Sequence, residues 1–322
     1  MPRTAVVLCS HQGARFLPAQ LGSLRAQTVQ PEIYVLSDDA SADGSFDLLQ
    51  RFADDRRAAG CTVILHRNAA NLGFLRHFEQ ALQRSDAELL FPCDQDDVWH
   101  PSKLERMRAE FAARPDLLVL HADARLVDAE GRSLDRRLFQ VLDISPGELA
   151  AMHAGHGFEV LLRRNIVTGA TMAFRREALQ IALPFVDGWA HDEWIAIQAA
   201  LRGRVDTLDE VLVDYRQHEA NQIGVRARHG AQKLGIGMDR QAFLRRADQR
   251  QQALSERAAR GPLPDAIRDA LDQRLLHARH RANLPAAFAA RLPAIWREAR
   301  SGRYARFGRG WRSALADLFG ID

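Results

Sequence analysis

Three carboxylates directly follow an apolar segment in the first third of the chain. Residues 89–93 read LLFPC, and Asp94, Asp96 and Asp97 come next. Two carboxylates about 4 Å apart repel each other by roughly 1 kcal/mol in water and about 4 kcal/mol near a protein surface, so clustering them does not stabilise a fold. Carboxylate oxygens are the ligands that Mg²⁺ and Mn²⁺ prefer, and these ions commonly bridge to substrate phosphates. The spacing of Asp94 and Asp96 therefore predicts a divalent metal site, whereas Asp97 is more simply explained as a helix cap or a solvated loop residue.

A second pair of carboxylates, Asp38 and Asp39, ends another predicted strand at residues 32–38. The sequence Ala-Ser-Ala-Asp-Gly follows the pair. A carboxylate here could accept hydrogen bonds from a nucleotide base or ribose. The same residues could instead form a turn and cap the following helix. The residues alone leave both interpretations open.

A histidine and an acidic residue stand together about a hundred residues later. His191 and Asp192 are framed by Trp189 and Trp194 at the start of a predicted helix. A carboxylate in this position is a candidate general base, which would remove a proton from a reacting hydroxyl. The alternative is an acidic residue that stabilises a helix N-terminus through the helix dipole.

His218 lies in a polar cluster that follows an apparent strand. The segment at residues 215–221 reads YRQHEAN. Imidazole nitrogen suits divalent transition metals, so His218 is a candidate metal ligand or phosphate contact. A lone histidine is more often structural, and both readings stay open.

Predicted strands and helices alternate through the first 125 residues. Apolar residues at helical spacing separate the strands, and Pro101 opens one of the helices. This βαβαβαβαβ pattern predicts an α/β fold with a mostly parallel sheet flanked by helices. Ligands of such sheets bind beyond the carboxyl ends of the strands, so the polar residues there should line one crevice. The predicted strands are 4–10, 32–38, 61–67, 88–94 and 117–123, followed by strands at 168–174 and 204–215 and a helix at 189–201.

Several function classes lack their motifs in this chain. There is no G-x-G-x-x-G and no G-x-x-x-x-G-K-[ST], which excludes the usual dinucleotide and P-loop phosphate cradles. No apolar run approaches the ~20 residues of a membrane helix, and the N-terminal apolar stretch is too short for a signal peptide. The three cysteines include no C-x-x-C pair and favour reduced, buried thiols. We expect a cytoplasmic protein.

Charge divides the chain into two parts. Residues 226–322 carry 20 Lys and Arg against 9 Asp and Glu, a net charge of +11, whereas the preceding residues carry 24 against 32, a net charge of −8. The basic part has helical spacing and mixes arginines with aromatic residues between 291 and 320. Such helices often lie on anionic membranes, so we expect the basic part to make peripheral contact with the inner face of the cell membrane. Packing on the rest of the protein and RNA binding are the alternatives. Of these partners, we do not expect a nucleic acid.

Seven motifs in a fixed order resemble glycosyltransferase family 2, and most closely its bacterial rhamnosyltransferase-like branch. The resemblance covers about residues 1–225. It implies a GT-A fold, a nucleotide-diphosphate sugar donor, a divalent cation (Mg²⁺ or Mn²⁺) and inversion at the anomeric carbon. The motifs are SHQGARFL (10–17), SDDASADGS (37–45), NLG (71–73), DQDDVW (94–99), VTGATMAF (167–174), HDEW (191–194) and YRQHEAN (215–221).

The resemblance also implies roles for individual residues. Asp39 would contact the nucleobase, Asp94 the ribose, Asp96 the metal, and Asp192 would be the catalytic base, with His191 beside it where the family more often has an acidic residue. The first loop departs from the family, because Ser10-His11-Gln12 stands where Thr, Tyr and Asn types are commoner. The full set is Ser10, His11, Asp38, Asp39, Arg67, Asn71, Asp94 and Gln95 for the donor, Asp94, Asp96 and His218 for the metal, and Trp189, His191, Trp194 and Asp97 for the acceptor region.

These inferences predict a GT-A glycosyltransferase domain at residues 1–224 and a basic helical region at residues 225–322. The predicted reaction is inverting, metal-dependent sugar transfer, with dTDP-rhamnose as a candidate donor. The predicted acceptor is a glycan or lipid-linked glycan of bacterial surface polysaccharide or lipopolysaccharide synthesis. Two alternatives remain: a sugar-phosphate nucleotidyltransferase, for which the loop at residues 10–15 is a poor triphosphate site, and a non-catalytic nucleotide-sugar-binding or scaffold protein.

Overall fold

The computed structural model describes residues 2–219 and 240–320, which belong to two compact units. An α/β unit contains residues 2–157 and 166–219, and a helical unit contains residues 158–165 and 240–320. The predicted boundary between residues 224 and 225 lies outside the described residues. Among the described residues, no helix has the length and apolar character needed to cross a bilayer.

The α/β unit contains nine strands among its described residues, separated by helices as the alternating pattern predicted. The strands are β1 (Thr4–Ser10), β2 (Ile33–Asp38), β3 (Thr62–Arg67), β4 (Leu89–Cys93), β5 (Val98–Trp99), β6 (Leu117–Val127), β7 (Ser133–Arg137), β8 (Met172–Arg175) and β9 (Arg204–Arg216). The helices are α1 (Leu17–Arg25), α2 (Ser45–Ala58), α3 (Phe74–Leu82), α4 (Lys103–Ala113), α5 (Leu138–Val141), α6 (Pro146–His153), α8 (Arg176–Ala182) and α9 (His191–Ala200).

The strands form one mixed sheet in the order β3-β2-β1-β4-β8-β6-β9-β5, with β7 beside β6. β3, β2, β1 and β4 run parallel, as predicted, and each agrees with its predicted bounds to within one residue. β8 then runs antiparallel to both β4 and β6, so the strand predicted at 117–123 is not the direct neighbour of β4. β6 also continues to Val127 because it pairs in parallel with the long strand β9.

Burial explains why this part of the chain folds as it does. All seven residues of β1 are buried in the middle of the parallel strands. Helix α1 adds Leu17, Leu21 and Leu24 to the core that contains Val6 and Leu8 of β1. Burying each such side chain contributes about 1.5–3 kcal/mol. This apolar centre leaves the polar loops at the strand ends to form a site.

The helical unit is built from α10 (Arg240–Ala258), α11 (Asp265–Ala282), α12 (Phe288–Arg300), α13 (Arg303–Phe307) and α14 (Trp311–Phe319), together with most of α7 (Gly157–Arg163). Arg274 of α11 donates from Nε to the carbonyl of Leu162 at 3.1 Å, which ties α7 to these helices. Residues 158–165 thus group with the helical unit, although the sequence placed them in the first domain. The carboxylate of Asp317 accepts from Nε of Arg281 at 2.7 Å and from the hydroxyl of Tyr304 at 2.7 Å.

Candidate active site

The carboxyl ends of β1, β2 and β4 meet at one edge of the sheet. β1 pairs in parallel with both neighbours, and Ser10 lies opposite Asp38 in the register. Asp39 and Asp94 are the residues that directly follow β2 and β4. The polar residues at these strand ends are therefore close together, at the position where parallel sheets bind ligands.

The side chain of Gln95 joins the loop after β4 to the loop after β1. Its Nε2 donates to the carbonyl of His11 at 3.0 Å, and its Oε1 accepts from the N–H of His11 at 2.8 Å. A Cβ on residue 13 would lie 2.1 Å from Oε1 of Gln95, so a side chain at this position would have to displace the Gln95 amide. The amide of Gln95 binds backbone of the first loop, and its predicted contact with a donor stays a prediction.

The carboxylate of Asp39 organises the loop that follows β3. It is buried and accepts hydrogen bonds from Nδ2 of Asn68 at 2.7 Å, from the N–H of Leu72 at 3.0 Å and from the N–H of Gly73 at 3.1 Å. These bonds use lone pairs on both oxygens. A nucleobase would have to share or replace one of these donors, and the nucleobase role of Asp39 stays a prediction.

His11 and Asn71 lie side by side next to this loop. Nδ2 of Asn71 is 3.0 Å from Nε2 of His11, and Nδ1 of His11 is 2.8 Å from the carbonyl oxygen of Asp39. Both side chains keep solvent-exposed surface. The structure thus brings these two predicted donor residues together at the crevice edge, and their contact with a donor stays a prediction.

Asp38 and Ser10 contribute buried oxygen atoms that have no partner among the described residues. Oδ2 of Asp38 accepts from the N–H of Ser41 at 2.9 Å and lies 3.5 Å from Nε of Arg67. Oδ1 of Asp38 and Oγ of Ser10 are both buried without a hydrogen bond. Buried polar atoms are rarely left unpaired, so these two oxygens mark a place where a polar ligand would gain binding energy.

The carboxylates after β4 raise the pKa values of one another. Burial, and then the charges of Asp96 and Asp192, raise the pKa of Asp94 to about 7. Burial and the neighbouring Asp96 and Asp94 raise the pKa of Asp97 well above its usual range. These couplings put Asp192, which is distant in sequence, within electrostatic reach of Asp94. The cluster is a site of unfavourable negative charge, which a cation would stabilise.

A buried lysine stands beside this cluster. Nζ of Lys103 donates to the carbonyl of Ala170 at 2.7 Å and lies 3.5 Å from the centre of the Trp99 ring. Burial lowers the pKa of Lys103 to about 7, although the charges of Asp97 and Asp94 oppose this shift. Its ammonium group is therefore a weak counter-ion for the carboxylates at neutral pH.

Asp96 and His218 form a direct contact between the loop after β4 and the residues after β9. Nε2 of His218 is 2.8 Å from Oδ2 of Asp96, and its ring stacks on Phe16 with centroids 4.4 Å apart. Carboxylate oxygens suit Mg²⁺ and Mn²⁺ sites that bridge to phosphates, whereas imidazole nitrogen suits divalent transition metals. In the described part of the chain, no three His, Cys, Asp or Glu side chains are arranged to hold a metal by themselves. Asp96 and His218 thus supply two adjacent donor atoms of a chemistry that fits a divalent transition metal, and the metal site predicted with Asp94 stays a prediction.

Arg216, at the end of β9, holds the carboxylate loop in place. Its N–H donates to Oδ1 of Asp97 at 2.9 Å, and its Nε donates to the carbonyl of Asp96 at 2.7 Å. Asp97 is only 1% exposed. The side chain of Asp97 anchors β9 to the loop, and its predicted place in the acceptor region stays a prediction.

The candidate base Asp192 is the second residue of α9 and is fixed from two sides. Its Oδ2 accepts from the N–H of Gly169 at 2.7 Å, and its Oδ1 accepts from the N–H of Glu193 at 2.8 Å. Gly169 begins a short 3₁₀ turn before β8. A Cβ on this glycine would lie 2.9 Å from Nε2 of His191, so the close approach of the turn to α9 depends on glycine.

The aromatic neighbours of Asp192 belong largely to the core. Trp194 is fully buried and donates from Nε1 to the carbonyl of Ala182 at 2.7 Å. Trp189 is also buried and packs against Trp194 with ring centroids 5.3 Å apart. His191 is buried and stacks on Phe78 at 4.1 Å, and burial lowers its pKa. The three side chains make packing contacts, and their predicted place in the acceptor region stays a prediction.

Sequence reasoning missed several residues that shape the site. Lys103, Gly169 and Arg216 all act through contacts with residues distant in the chain. Only Gly13 carried a local signal, as a glycine in the loop that directly follows a predicted strand.

Comparison with known proteins places this chain in a family. Residues 5–181 match the model described as Glycosyl transferase family 2. An uncharacterized glycosyltransferase of Nostoc is 29% identical over 227 residues, which are 68% of this chain and 66% of that protein. The chain thus spans just under two thirds of this relative's length.

Solved structures share the fold at low sequence identity. The Staphylococcus aureus TarS fragment 1–349 in complex with UDP-GlcNAc has a TM-score of 0.58 and 16% identity, covering 92% of this chain and 81% of that one. A mannosyltransferase of Pyrobaculum calidifontis in complex with GDP-Man and Mn²⁺ has a TM-score of 0.56 and 20% identity, covering 99% and 85%. The GT-A-like fold expected from the sequence, with its helical C-terminal part, is confirmed.

Proposed function

The chain belongs to glycosyl transferase family 2, and on that premise we propose that it transfers a sugar from a nucleoside-diphosphate sugar to a glycan acceptor, with inversion at the anomeric carbon. One observation carries the proposal. The charge of Asp192 helps to raise the pKa of Asp94, which supports a candidate base close to the candidate diphosphate site. Transfer chemistry needs both groups within reach of the same anomeric carbon.

Asp192 is the proposed base. Its carboxylate would accept the proton of an acceptor hydroxyl as the oxygen attacks the anomeric carbon, which contributes about 10²–10⁴-fold in typical enzymes. The hydrogen bonds from the N–H groups of Gly169 and Glu193 orient the carboxylate before the acceptor arrives. Such orientation supports catalysis because a fixed group loses little entropy when the reaction proceeds.

Asp94, Asp96 and His218 would hold the divalent cation, Mg²⁺ or Mn²⁺. When bound, such a cation supplies Lewis-acid neutralisation of the charge that grows on the departing nucleoside diphosphate. Gln95 and Arg216 make hydrogen bonds within and to the loop that carries Asp94 and Asp96, which would keep the two carboxylates in position for the cation. The Mn²⁺ in the Pyrobaculum mannosyltransferase structure supports a metal in this fold.

The donor nucleotide would lie at the ends of β1 and β2. The unpartnered oxygens of Ser10 and Asp38 support a polar ligand there, with Arg67, His11 and Asn71 at its edge. We propose dTDP-rhamnose as the donor to test first. UDP and GDP sugars are the next candidates, because the TarS fragment and the Pyrobaculum enzyme are complexes with UDP-GlcNAc and GDP-Man.

The proposed acceptor is a glycan intermediate of bacterial surface polysaccharide or lipopolysaccharide synthesis, free or lipid-linked, used on the cytoplasmic side of the membrane. Sugar-phosphate nucleotidyl transfer is the second enzymatic candidate, and it would release pyrophosphate. A non-catalytic nucleotide-sugar-binding protein would release neither nucleoside diphosphate nor pyrophosphate.

The test is product release from a panel of dTDP, UDP and GDP sugars, each with Mn²⁺ and with EDTA. We expect one donor to release its nucleoside diphosphate slowly by hydrolysis, and faster with acceptor. The same donor should raise the melting temperature, as expected for a ligand of the folded state. Pyrophosphate release would favour nucleotidyl transfer, and binding without turnover would favour the non-catalytic protein.

Two variants separate the proposed roles. Asp96→Asn should abolish the Mn²⁺-dependent part of the thermal shift, whereas Asp192→Asn should keep that shift and lose turnover. If Asp96→Asn binds donor and Mn²⁺ like the wild type, the proposed metal site is wrong even when the enzyme is active.

A further inference from the structure

Helices α12 and α14 each expose a straight row of large apolar side chains. Phe288, Leu292 and Trp296 follow one another at intervals of four residues on α12, and all three are exposed. Residues four apart lie on the same face of a helix. The exposed row of α14 has the same spacing and consists of Trp311, Leu315 and Phe319.

The two rows join into one surface. Phe288 at the start of α12 and Phe319 at the end of α14 have ring centroids 5.8 Å apart. The two helices also pack against each other. We call the six residues of the two rows the α12–α14 patch. Large exposed apolar patches mark interaction sites, because isolated exposed apolar residues are normal but contiguous ones are not.

The exposed charged residues of the segment 288–320 are all arginines, namely Arg297, Arg300, Arg306, Arg309 and Arg312. Arg306 lies 3.9 Å from the exposed carboxylate of Asp269 on α11. The guanidinium of Arg300 lies 4.6 Å from the ring centre of Trp296, and that of Arg312 lies 5.6 Å from the ring of Trp311. Cations thus stand directly beside both exposed tryptophans.

The acidic residues of the segment are withdrawn from its surface. Residues 288–320 contain two, Glu298 and Asp317, and they are 1% and 2% exposed. Glu298 binds Arg303 and His277, with its Oε1 2.6 Å from Nδ1 of His277. Asp317 is paired with Arg281 and Tyr304. Both carboxylates are engaged in internal contacts, which leaves the outer face apolar and cationic.

We propose that the α12–α14 patch docks on an anionic phospholipid bilayer. Exposed aromatic and leucine side chains would enter the interface between headgroups and acyl chains, and the flanking arginines would meet anionic headgroups. A second copy of this chain fits less well, because it would bring two sets of cations together. A nucleic acid fits less well, because its surface offers little to bury leucine and phenylalanine. Docking on a membrane does not depend on the proposed glycosyltransferase activity. It would bring the protein to the membrane surface that carries a lipid-linked acceptor.

Intrinsic fluorescence offers a selective test. Of the five tryptophans, Trp99, Trp189 and Trp194 are buried, whereas Trp296 and Trp311 are 61% and 68% exposed. Full-length protein is titrated with vesicles of phosphatidylcholine alone and with vesicles that also contain phosphatidylglycerol, with and without brominated acyl chains. We expect a blue shift and bromine quenching with the anionic vesicles only, and weaker binding at high salt because salt screens the arginines.

Matched variants assign the binding to the patch. Leu292→Gln combined with Leu315→Gln should weaken vesicle binding by about tenfold or more, because both leucines lose their apolar contact with lipid. Phe243→Gln combined with Leu276→Gln removes two similarly exposed apolar residues from α10 and α11 and should leave binding unchanged. Circular dichroism checks that both variants fold.

Three outcomes would overturn the proposal. The first is that the full-length protein shows neither a fluorescence blue shift nor flotation with anionic vesicles. Equal loss in both double variants would place binding elsewhere. A concentration-dependent dimer that the Leu292→Gln and Leu315→Gln variant loses would assign the patch to a second copy. Donor hydrolysis measured without vesicles keeps this result separate from the proposed activity.

Discussion

Nε2 of His218 lies 2.8 Å from Oδ2 of Asp96, although the two residues are 122 positions apart in the chain. The contact brings a nitrogen donor from the end of β9 to the carboxylate loop that follows β4. The contact is compatible with two roles for His218. The imidazole either only positions Asp96 or contributes to metal binding itself.

His218→Ala distinguishes these roles. If the imidazole is a ligand, we expect Mn²⁺ affinity to fall by about tenfold or more, because one donor of the set is lost. Electron paramagnetic resonance of free Mn²⁺ measures the affinity without any need for turnover. His100→Ala is the control, because the His100 side chain is exposed and contacts the nearby Ser102. Unchanged affinity in His218→Ala would make it a structural partner of Asp96.

Asp192→Asn should reduce kcat by about 10²–10⁴-fold, the range that a general base contributes. The asparagine oxygen can still accept from Gly169, so the turn before β8 should keep its position. Donor KM and melting temperature should change little. Glu193→Gln is the matched control, since it alters the neighbouring acid of the same helix turn. Near wild-type turnover in folded Asp192→Asn would remove Asp192 from the mechanism.

Gly13→Ala should destabilise the protein by about 1–3 kcal/mol, the usual cost of overpacking. The new Cβ would meet Oε1 of Gln95 at 2.1 Å and force the bridge to His11 apart. Gly22→Ala is a clean control, because a Cβ on residue 22 would meet nothing within 4 Å and alanine favours the helix by about 1 kcal/mol. Urea unfolding compares the two variants.

A second substitution tests the cause of that loss. Gln95→Ala removes the obstacle, so adding Gly13→Ala to it should cost much less than adding it to the wild type. Equal costs in both backgrounds would show that the strain comes from another contact.

The parallel half of the sheet and the grouping of its loops followed from sequence because both depend on local patterns. Each strand from β1 to β4 is a short apolar run, and parallel pairing places the following residues at one edge. Asp38, Asp94 and Asp96 could therefore be placed near each other before any contact was known. The insertion of β8 between β4 and β6 could not be predicted from the sequence. This four-residue strand pairs with both neighbours through contacts that no local period encodes.

The roles of individual side chains were harder to infer for the same reason. Trp194 beside Asp192 reads equally well as an acceptor contact or as core, and only the position of Ala182 decides that it is core. Gln95 reads as a ligand contact because it lies between two carboxylates, yet its partner is backbone 84 residues away. Sequence identifies polar residues at a site, and tertiary contacts decide which of them are free for a ligand.

The titration of Lys103 should make the free energy of unfolding depend on pH, because burial lowers the pKa of Lys103 to about 7 in the folded protein. The unfolded chain keeps a lysine pKa of about 10.4. Between these two pKa values the unfolded state binds one more proton than the folded state does. The contribution of Lys103 to the free energy of unfolding therefore rises with pH, by at most about 1.4 kcal/mol per pH unit. Below pH 7 both states are protonated, and the contribution is constant.

Lys103→Met removes this titration while conserving most of the side-chain volume. The free energy of unfolding of the wild type minus that of the variant should therefore increase between about pH 7 and pH 9.5, as measured by urea unfolding at several pH values. Arg106→Met on the same helix is the control, because a guanidinium stays charged over this range and the corresponding difference should not change with pH. A constant difference for Lys103→Met would mean that the lysine keeps its proton in the folded protein, held there by Asp97 and Asp94.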